Sequence, residues 1–446
     1  MLKWQDYYRS RIVSAQEAVK CIKSGDRVVL GHACGEPRVL PDAMVARASE
    51  LRDVEVVHMV AMGKSLYAQP EMEGHFRHNG LFIGGPTRKA VAEGRADYTP
   101  CYFHQIPGLF REGVLPVNVA LITVTPPNKH GFVNLGVSVD YTRQIVMSAD
   151  IVIAEVNPNM PHTGGDSSIR IQDIDYFVPS ELPILELNPP VLGEVEKAIG
   201  SNIASLIKDG DCLQLGIGAI PDAVLSFLEE KKDLGVHSEM VSDGVMKLVE
   251  AGVINCSRKN LHSNKIIITF AMGTRKFYEW LDENPMVEAY PVDYVNDPTV
   301  IAKNDNLVSI NSALSVDLLG QVAADTLGPK QFSGVGGQVD FVRGATNSKG
   351  GRSIIAIPAT AAKGTLSRIA VTLDRGQAVT TGRYDVDYVV TEFGVASLKG
   401  RTNLERSEAL INIAAPQFRD QLRQERNQFY GWNSNKVEAE VAMTEE

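Results

Sequence analysis

Short, nearly continuous apolar runs recur along this chain, separated by stretches in which the apolar residues follow a helical period. Continuous runs of about four to eight residues are typical of strands that are covered on both faces of a parallel sheet. Their alternation with amphipathic helices predicts an α/β fold. The predicted strands are RVVLG (27–31), VEVVHMV (54–60), GLFIGG (80–85), VNVALITVT (117–125), IVIAEV (151–156), CLQLG (212–216), KIIITFAM (265–272), LVSINSAL (307–314), SIIAIPAT (353–360) and DYVVTEF (387–393). The predicted helices cover 14–25, 193–207, 220–233 and 243–252, followed by a charged helical region over 403–428.

Parts of the sequence occur twice. Residues 22–43 read IKSGDRVVLGHACGEPRVLPDA, and residues 207–223 read IKDGDCLQLGIGAIPDA, with the same Ile-Lys, Gly-Asp, Leu-Gly and Pro-Asp-Ala pairs or triplets. A second pair, ADIVIAEVN (149–157) and VDYVVTEFG (386–394), keeps the same order. Repeats that keep their order indicate two tandem copies of one structural unit.

The repeat predicts how the chain is divided. We expect two similar α/β domains with mainly parallel open sheets, at 1–190 and 191–432, and an acidic tail over 433–446. Ligands of open α/β sheets bind at the carboxyl ends of strands, so the active site is expected in the cleft between the two domains.

Composition narrows the function classes. The formal net charge is −10, from 44 Lys and Arg against 54 Asp and Glu, which argues against a nucleic-acid partner. Five cysteines without a Cys-x-x-Cys pair predict a reduced, cytoplasmic protein. No run reaches the ~18 apolar residues of a membrane span, so no membrane partner is expected. His75 and His78 lie three residues apart without a carboxylate ligand pattern, so no metal site is predicted.

The first candidate site is the glycine-rich stretch GIGAIP (216–221), between a predicted strand and a predicted helix. Small side chains there let backbone N–H groups approach a phosphate, a thioester carbonyl or an oxyanion, and the helix N-terminus adds its dipole. An ordinary strand-to-helix turn would use the same residues. If the loop is catalytic, its oxyanion donors are expected around Gln214 and Gly216.

The second candidate is Glu239, in GVHSEMVSDGV (235–245). Ser242 or Asp243 is a suitable N-cap for the next helix, so HSEM is predicted to be a strand end or turn. A carboxylate placed there would point into the cleft beside that helix N-terminus, as suits a nucleophile or a base. The alternative is a surface Glu that interacts only with the helix dipole.

The third candidate is SGVGGQVDFVRGA (333–345). Gly334, Gly336 and Gly337 predict a surface without side chains, followed by a strand at QVDFV. A bulged hairpin would have the same composition.

Together, the elements GIGAIPDA, HSEMVSDG, GVGGQVDF and EFGVASLKGRT resemble the acetyl-CoA hydrolase/transferase family, and within it the 4-hydroxybutyrate and butyryl-CoA:acetate CoA-transferases. The resemblance runs from about residue 5 to 430. It implies a CoA-transferase with Glu239 as covalent nucleophile, coenzyme A as substrate, short-chain carboxylates as partners and a homodimer or higher homo-oligomer. The residues that it implies for CoA binding are Gly216, Ile217, Gly218, Ala219, Ile220, Leu314, Gly334, Gly336, Gly337 and Lys363.

The chemistry of such a transfer is compatible with a carboxylate nucleophile. Attack by Glu239 on the acyl-CoA would give an acyl-glutamyl anhydride, and return of the thiolate would leave a glutamyl-CoA thioester. Three alternatives stay open: a thioesterase of the same family, a sugar-phosphate isomerase with Glu239 as general base, and a non-catalytic ligand sensor. The sequence does not determine whether the acid is butyrate, 4-hydroxybutyrate, acetate, succinate or itaconate.

Overall fold

The computed structural model describes residues 3–432, so the predicted tail at 433–446 lies outside the described residues. Within residues 3–432, no helix has both the length and the apolar character that crossing a membrane requires. The α-helices, numbered α1 to α15, are Trp4–Ser10, Ala15–Ala18, Val39–Val45, Gly85–Ala92, Ile106–Arg111, Thr142–Ser148, Glu194–Ala204, Ala219–Ser226, Asp243–Glu250, Arg275–Leu281, Val292–Val295, Pro298–Ile301, Gln338–Asn347, Asn403–Asn412 and Pro416–Tyr430. The strands, numbered β1 to β27, are Arg27–Leu30, Val54–His58, Phe76–Gly80, Ala96–Tyr98, Val117–Val124, Phe132–Asn134, Ala149–Val156, Gly164–Gly165, Ser168–Arg170, Tyr176–Pro179, Cys212–Leu215, Gly235–Val236, Met240–Val241, Ile266–Ile268, Phe270–Ala271, Val287–Ala289, Leu307–Ser312, Ser315–Asp317, Val322–Ala323, Thr326–Leu327, Lys330–Gln331, Arg352–Ala356, Thr360–Ala361, Leu366–Ser367, Ile369–Ala370, Tyr388–Thr391 and Gly394–Ser397.

The first large sheet has seven strands in the order β10-β7-β5-β1-β2-β3-β4. All of its strand pairs are parallel. Val28 of β1 lies opposite Val56 of β2 and Val119 of β5. These apolar strands are buried on both faces, as their continuous hydrophobic runs predict. We call the part of the chain that carries this sheet the first half.

The second large sheet has six strands in the order β12-β11-β17-β22-β26-β27. Its pairs are parallel except for the antiparallel pair of β26 with β27. The strand that follows β11 in the chain, β12, lies on one side of it, and β17 lies on the other. The strand order therefore reverses at β11 and β17, which is where open α/β sheets form a ligand crevice. The part of the chain with this sheet is the second half.

The two halves repeat one pattern, and the predicted α/β fold with mainly parallel open sheets is confirmed. Gly31 follows β1 and Gly216 follows β11, and each repeated Pro-Asp-Ala triplet lies inside the next helix, α3 or α8. The largest buried cluster contains apolar residues of both halves. The halves are also joined by β8, which pairs with β16, and by a hydrogen bond from the Val139 N–H to the Thr269 carbonyl.

Two predicted strands are wrong, and the helix predicted over 220–233 already ends at Ser226. QVDFV, predicted as a strand, forms the start of helix α13. Its buried Val339, Val342 and Ala345 recur every three residues, a helical spacing that the short apolar run hides. GLFIGG, predicted as a strand over 80–85, shares only Gly80 with β3. That strand is made of the more polar residues FRHNG and is held by parallel pairing with β2.

Candidate active site

The backbone around Glu239 is fixed at the carboxyl end of β11. The Ser238 hydroxyl donates to the carbonyl of Leu215 at 3.1 Å and accepts the N–H of the same residue at 3.3 Å. The Glu239 carbonyl accepts N–H groups from Thr269 and Phe270. HSEM, predicted as a strand end or turn, links the end of β12 at Val236 to β13, which begins at Met240, with a bend at Glu239. These hydrogen bonds of Ser238 and of the Glu239 carbonyl therefore fix the backbone from which the Glu239 side chain projects.

The carboxyl group of Glu239 meets the N-terminus of α13. Nδ2 of Asn296 donates to Oε2 at 2.7 Å, and the Gly337 N–H forms a second hydrogen bond. Gly337 is the N-cap of α13, so the carboxyl lies where the dipole of that helix is positive. From the sequence, the helix N-terminus beside the Glu239 carboxyl was expected to be that of α9. Ser242 is indeed the N-cap of α9, but the described contacts of the carboxyl are with Gly337 and Asn296.

Burial makes this carboxyl an unusually weak acid. It raises the pKa of Glu239 from its ordinary value near 4.5 to about 8. The Asn296 amide and the Gly337 N–H lower the pKa, whereas the carboxyls of Asp340 and Asp140 raise it further. A partly buried carboxylate with few compensating donors is poorly solvated, which favours nucleophilic attack once the proton has left.

The glycine loop after β11 has free hydrogen-bond donors. Among the described residues, no acceptor binds the N–H groups of Gly216, Ile217 or Gly218. A Cβ built on Gly216 or Gly218 would meet no protein atom within 4 Å, so open space lies beside the loop. Helix α8 begins at Ala219, and unpaired N–H groups before a helix are suited to bind an anion or a carbonyl oxygen.

A small cleft of about 160 Å³ borders the same loop. It is lined by Ile217 and Gly218, by Ser242 and Asp243 at the start of α9, and by the segment 187–190. Ile217 is 44% exposed, a high value for an isoleucine, so an apolar side chain is available at the mouth of this cleft. The loop can therefore offer both N–H donors and an apolar contact to one ligand.

Other predicted site residues lie farther from the carboxyl. Gln214 is buried in β11, and its side-chain amide exchanges hydrogen bonds with Asn311. Leu314 is partly buried, with its N–H bonded to the Ala323 carbonyl. Lys363 is exposed and adopts a left-handed backbone conformation in a turn. Hydrogen bonds within residues 3–432 do not join any of these three side chains to Glu239.

The three glycines of the 333–345 element have different structural requirements. A Cβ on Gly334 would press against Phe82 of the first half at 2.9 Å. Gly336 has a φ of +53°, and its carbonyl accepts the N–H of Phe103. A Cβ on Gly337 would overlap the Glu239 carboxyl. Only Gly337 is therefore required directly by the candidate nucleophile.

The corresponding helix N-terminus of the first half is already occupied. Oε1 of Glu155 accepts the N–H groups of Val39 and Leu40, at 2.5 and 2.7 Å, at the start of α3. The residue at the repeated position in the second half is Glu392, whose carboxyl instead accepts the N–H of Ala359. Of the two repeated loops, the one before α8 is thus left open.

The sequence did not single out four polar residues around Glu239: Asn296, Asp340, Asp140 and His104. Asp340 stands within the quoted GVGGQVDF element, so its nearness to the glycines was a usable signal. The other three come from segments that are distant in sequence and carry no motif. Over residues 3–432, no three His, Cys, Asp or Glu side chains are grouped as a metal site would require.

The chain is similar to known proteins in sequence and in structure. The acetyl-CoA hydrolase/transferase N-terminal domain matches residues 2–186, and the C-terminal domain of the same name matches residues 273–426. The chain is 60% identical to the 4-hydroxybutyrate coenzyme A transferase of Clostridium kluyveri, over 95% of this chain and 99% of that protein. It is 39% identical to the butyryl-CoA:acetate CoA-transferase of Anaerostipes caccae, over 98% and 100%. The crystal structure of a 4-hydroxybutyrate CoA-transferase from Porphyromonas gingivalis, 45% identical, matches with a TM-score of 0.83 and covers 96% of this chain and 100% of that one.

Proposed function

Because this chain belongs to the acetyl-CoA hydrolase/transferase family and is a CoA-transferase that acts on short-chain acids, we propose that Glu239 is its covalent nucleophile. The observation that carries this proposal is the position of the Glu239 carboxyl. It meets the N-terminus of α13 and the Asn296 amide. The preceding residue, Ser238, is hydrogen-bonded to Leu215, directly before the loop with free N–H groups.

The proposed reaction proceeds through two covalent states of Glu239. A carboxylate oxygen attacks the acyl-CoA carbonyl, the carbon–sulfur bond breaks, and an acyl-glutamyl anhydride and CoA thiolate result. The thiolate then attacks the glutamyl carbonyl of the anhydride, which releases the first acid and leaves a glutamyl-CoA thioester. The second carboxylate reverses both steps and leaves as its CoA ester. The thioester energy is kept because water takes no part.

Each addition step develops an oxyanion, for which the free N–H groups of the glycine loop are the proposed donors. Gly216 is better placed than Gln214, because Gln214 lies inside β11, paired with β17, and its side chain is engaged with Asn311. Loss of one such donor typically costs about 10²–10³ in rate. The N–H of Gly337 is already bonded to the Glu239 carboxyl and can remain so as the charge moves.

We further propose that coenzyme A lies along Gly216–Ile220, so Gly216→Val should impair its binding. The new side chain would enter space that holds no protein atom, and the backbone at Gly216 is not left-handed, so the fold should be unaffected. We expect the KM for acyl-CoA to rise at least about tenfold, which corresponds to about 1.4 kcal/mol. Steady-state kinetics and a melting curve check this. An unchanged KM would show that the loop is an ordinary turn.

Trapping the intermediate tests the proposed mechanism. Enzyme incubated with acyl-CoA alone should carry CoA on the peptide that contains Glu239, as peptide mass spectrometry would show. Initial rates with two substrates should give the parallel lines of ping-pong kinetics. Intersecting lines without an adduct would instead indicate direct transfer in a ternary complex. If the acyl-CoA is consumed at the same rate without an acceptor acid, the enzyme is a hydrolase.

For the acids, we propose 4-hydroxybutyrate or butyrate, exchanged with acetyl-CoA and acetate. The support is the names of the relatives in Clostridium kluyveri and Anaerostipes caccae. Pocket contacts worth about 1–3 kcal/mol separate such acids, so related chains can differ in preference. A panel of acyl-CoA donors against acetate and dicarboxylate acceptors, compared by kcat/KM, decides this point.

We also propose two domains at 1–190 and 191–432, a cytoplasmic location and a homo-oligomer. The boundary is supported by Pro189 and Pro190, next to the exposed Val191. The odd number of cysteines supports the location. Limited proteolysis near residue 190 and light scattering of the intact protein test the boundary and the assembly.

A further inference from the structure

A row of polar side chains leads from Glu239 into the first half of the molecule. The Asn296 amide donates to Glu239 at 2.7 Å. Burial raises the pKa of Asp340, and His104 and the nearby Asn296 amide act against that rise. Oδ1 of Asp340 lies 2.7 Å from Nδ1 of His104, and its Oδ2 accepts the backbone N–H of His104 at 3.2 Å. His104 is thus linked to the Glu239 carboxyl through two side chains.

Solvent reaches this row at one end. Asn296 and Asp340 are fully buried, whereas 24% of the His104 side chain is exposed. His104 also lines an open surface groove between α5 and α11. It can therefore exchange protons with water, which the two buried side chains cannot do directly.

Two carboxyl groups share one helix N-terminus here. Asp340 lies in the first turn of α13, and the N-cap of that helix contacts Glu239. Two neighbouring carboxylates repel each other, so ionisation of one makes ionisation of the other harder. Burial works against a charged His104, but the hydrogen bond and charge of Asp340 outweigh it and raise the pKa of His104. The pairing with Asp340 therefore favours a protonated His104, whose positive charge offsets the negative charge of Asp340.

We propose that His104 is a positioning residue that neutralises Asp340, and that this neutralisation allows Glu239 to ionise and attack. His104 acts through Asp340 and Asn296 and is not required to touch the substrate. The proposal rests on the proposed role of Glu239 as nucleophile. It gives the first half of the molecule a part in activating a nucleophile that belongs to the second half.

Other charged groups near these residues do not replace His104. Asp140 faces Glu239 from the loop before α6, and its negative charge opposes ionisation of Glu239. Its carboxyl is bonded to the buried His32, with Nδ1 to Oδ2 at 3.1 Å, and to hydroxyl groups.

Two charged groups act on His104 itself. Asp297 raises the pKa of His104, and Arg343 lowers it. The guanidinium of Arg343 lies over the Tyr102 ring, 5.4 Å from its centroid, and pairs with Asp385. The direct charged partner of Asp340 is therefore His104.

The test follows the pH dependence of one chemical step. CoA adduct formation on Glu239 is measured in single turnovers between pH 5.5 and 9.5, by acid quench and mass spectrometry. In His104→Gln, Asp340 loses its positively charged partner, so the negative charge of ionised Asp340 is uncompensated. We expect the acid limb of the rate to move upward by about half to one pH unit.

The double variant separates electrostatics from packing. Asp340→Asn added to His104→Gln removes the repelling charge, so the limb should return to the wild-type pH or below. A merely structural role predicts a slower rate in the double variant and no return of the limb. His130→Gln, at an exposed histidine outside the site, is the matched control and should leave the profile unchanged.

Two results would overturn the proposal: an unshifted limb in His104→Gln, or a shifted limb that persists in the double variant. Failure of the proposed function is recognised differently. If Glu239→Gln still transfers CoA, or if no adduct forms on the wild-type Glu239 peptide, the nucleophile is elsewhere. An adduct on Glu239 with an unshifted His104→Gln profile would refute the role of His104 alone.

Discussion

Glu239→Gln is expected to lower CoA transfer by at least about 10⁴-fold, the scale on which removal of a covalent nucleophile acts. The amide keeps the shape of the side chain. The contacts with Asn296 and Gly337 can therefore persist, although an NH₂ group replaces one carboxyl oxygen. It cannot form the anhydride, because an amide is a far weaker nucleophile than a carboxylate. Transfer between acyl-CoA and acetate is measured by product analysis, together with the loss of the CoA adduct.

The stability of this variant provides an independent check. The raised pKa of Glu239 means that the folded state binds its proton more tightly than the unfolded state does. The contribution of Glu239 to stability therefore falls as pH rises from the ordinary carboxyl value to about 8. Glutamine does not ionise, so the variant does not lose this stability as the pH rises. The melting temperature of Glu239→Gln at pH 8 should therefore equal or exceed that of the wild type. Glu279→Gln, at an exposed ion pair with Arg275, is the control for substitution itself. Near-wild-type transfer by Glu239→Gln would refute the assignment.

Gly337→Ala is expected to lower turnover by about 10² or more while the fold persists. A Cβ at this position would overlap Oε2 of Glu239 and Nδ2 of Asn296, so the carboxyl and its amide partner must move. A displacement of about 1 Å at a reacting group can cost about 10²-fold in rate. The φ of −95° at Gly337 suits alanine, so the penalty arises from the side chains of the site and not from the backbone.

A matched substitution isolates this steric effect. Gly382→Ala adds the same methyl group where no atom lies within 4 Å and the backbone is not left-handed. Its kcat and melting temperature should both stay close to those of the wild type. If Gly337→Ala binds acyl-CoA, melts normally and turns over at the wild-type rate, the observed contact between Gly337 and Glu239 is not part of the reactive geometry.

The sequence predicts the sheets well because their strands are buried on both faces. A run such as VNVALITVT can be recognised as a strand without knowing which strand it pairs with, and β5 covers most of that run. β3 is missed because FRHNG owes its conformation to pairing with β2. QVDFV is misread because five residues cannot separate a period of two from a period of 3.6. The first error comes from pairing with a neighbouring strand, and the second from the shortness of the apolar run.

The sequence likewise predicts some residues of the candidate site and misses others. Glu239 and Gly337 belong to compact motifs, so their importance could be predicted, although the contact between them could not. Asn296 and His104 reach the site from different segments and have no local signature. Which helix N-terminus faces Glu239 also depends on the order of strands in the second sheet. Residue types indicate which chemistry is available, whereas the electrostatics of Glu239 depend on how distant segments meet.

The position of the Glu155 carboxyl at the start of α3 indicates how one ancestral unit could give rise to two halves with different roles. A helix N-terminus at the repeated position can bind a ligand when no side chain covers it, and it binds a side chain of its own chain when one does. In the first half, Glu155 behaves as a built-in ligand; in the second half, Glu392 turns to Ala359 and leaves the helix N-terminus uncovered. After a duplication, redirecting one carboxyl, together with the shorter loop before α8, would leave one copy a scaffold and make the other a receptor.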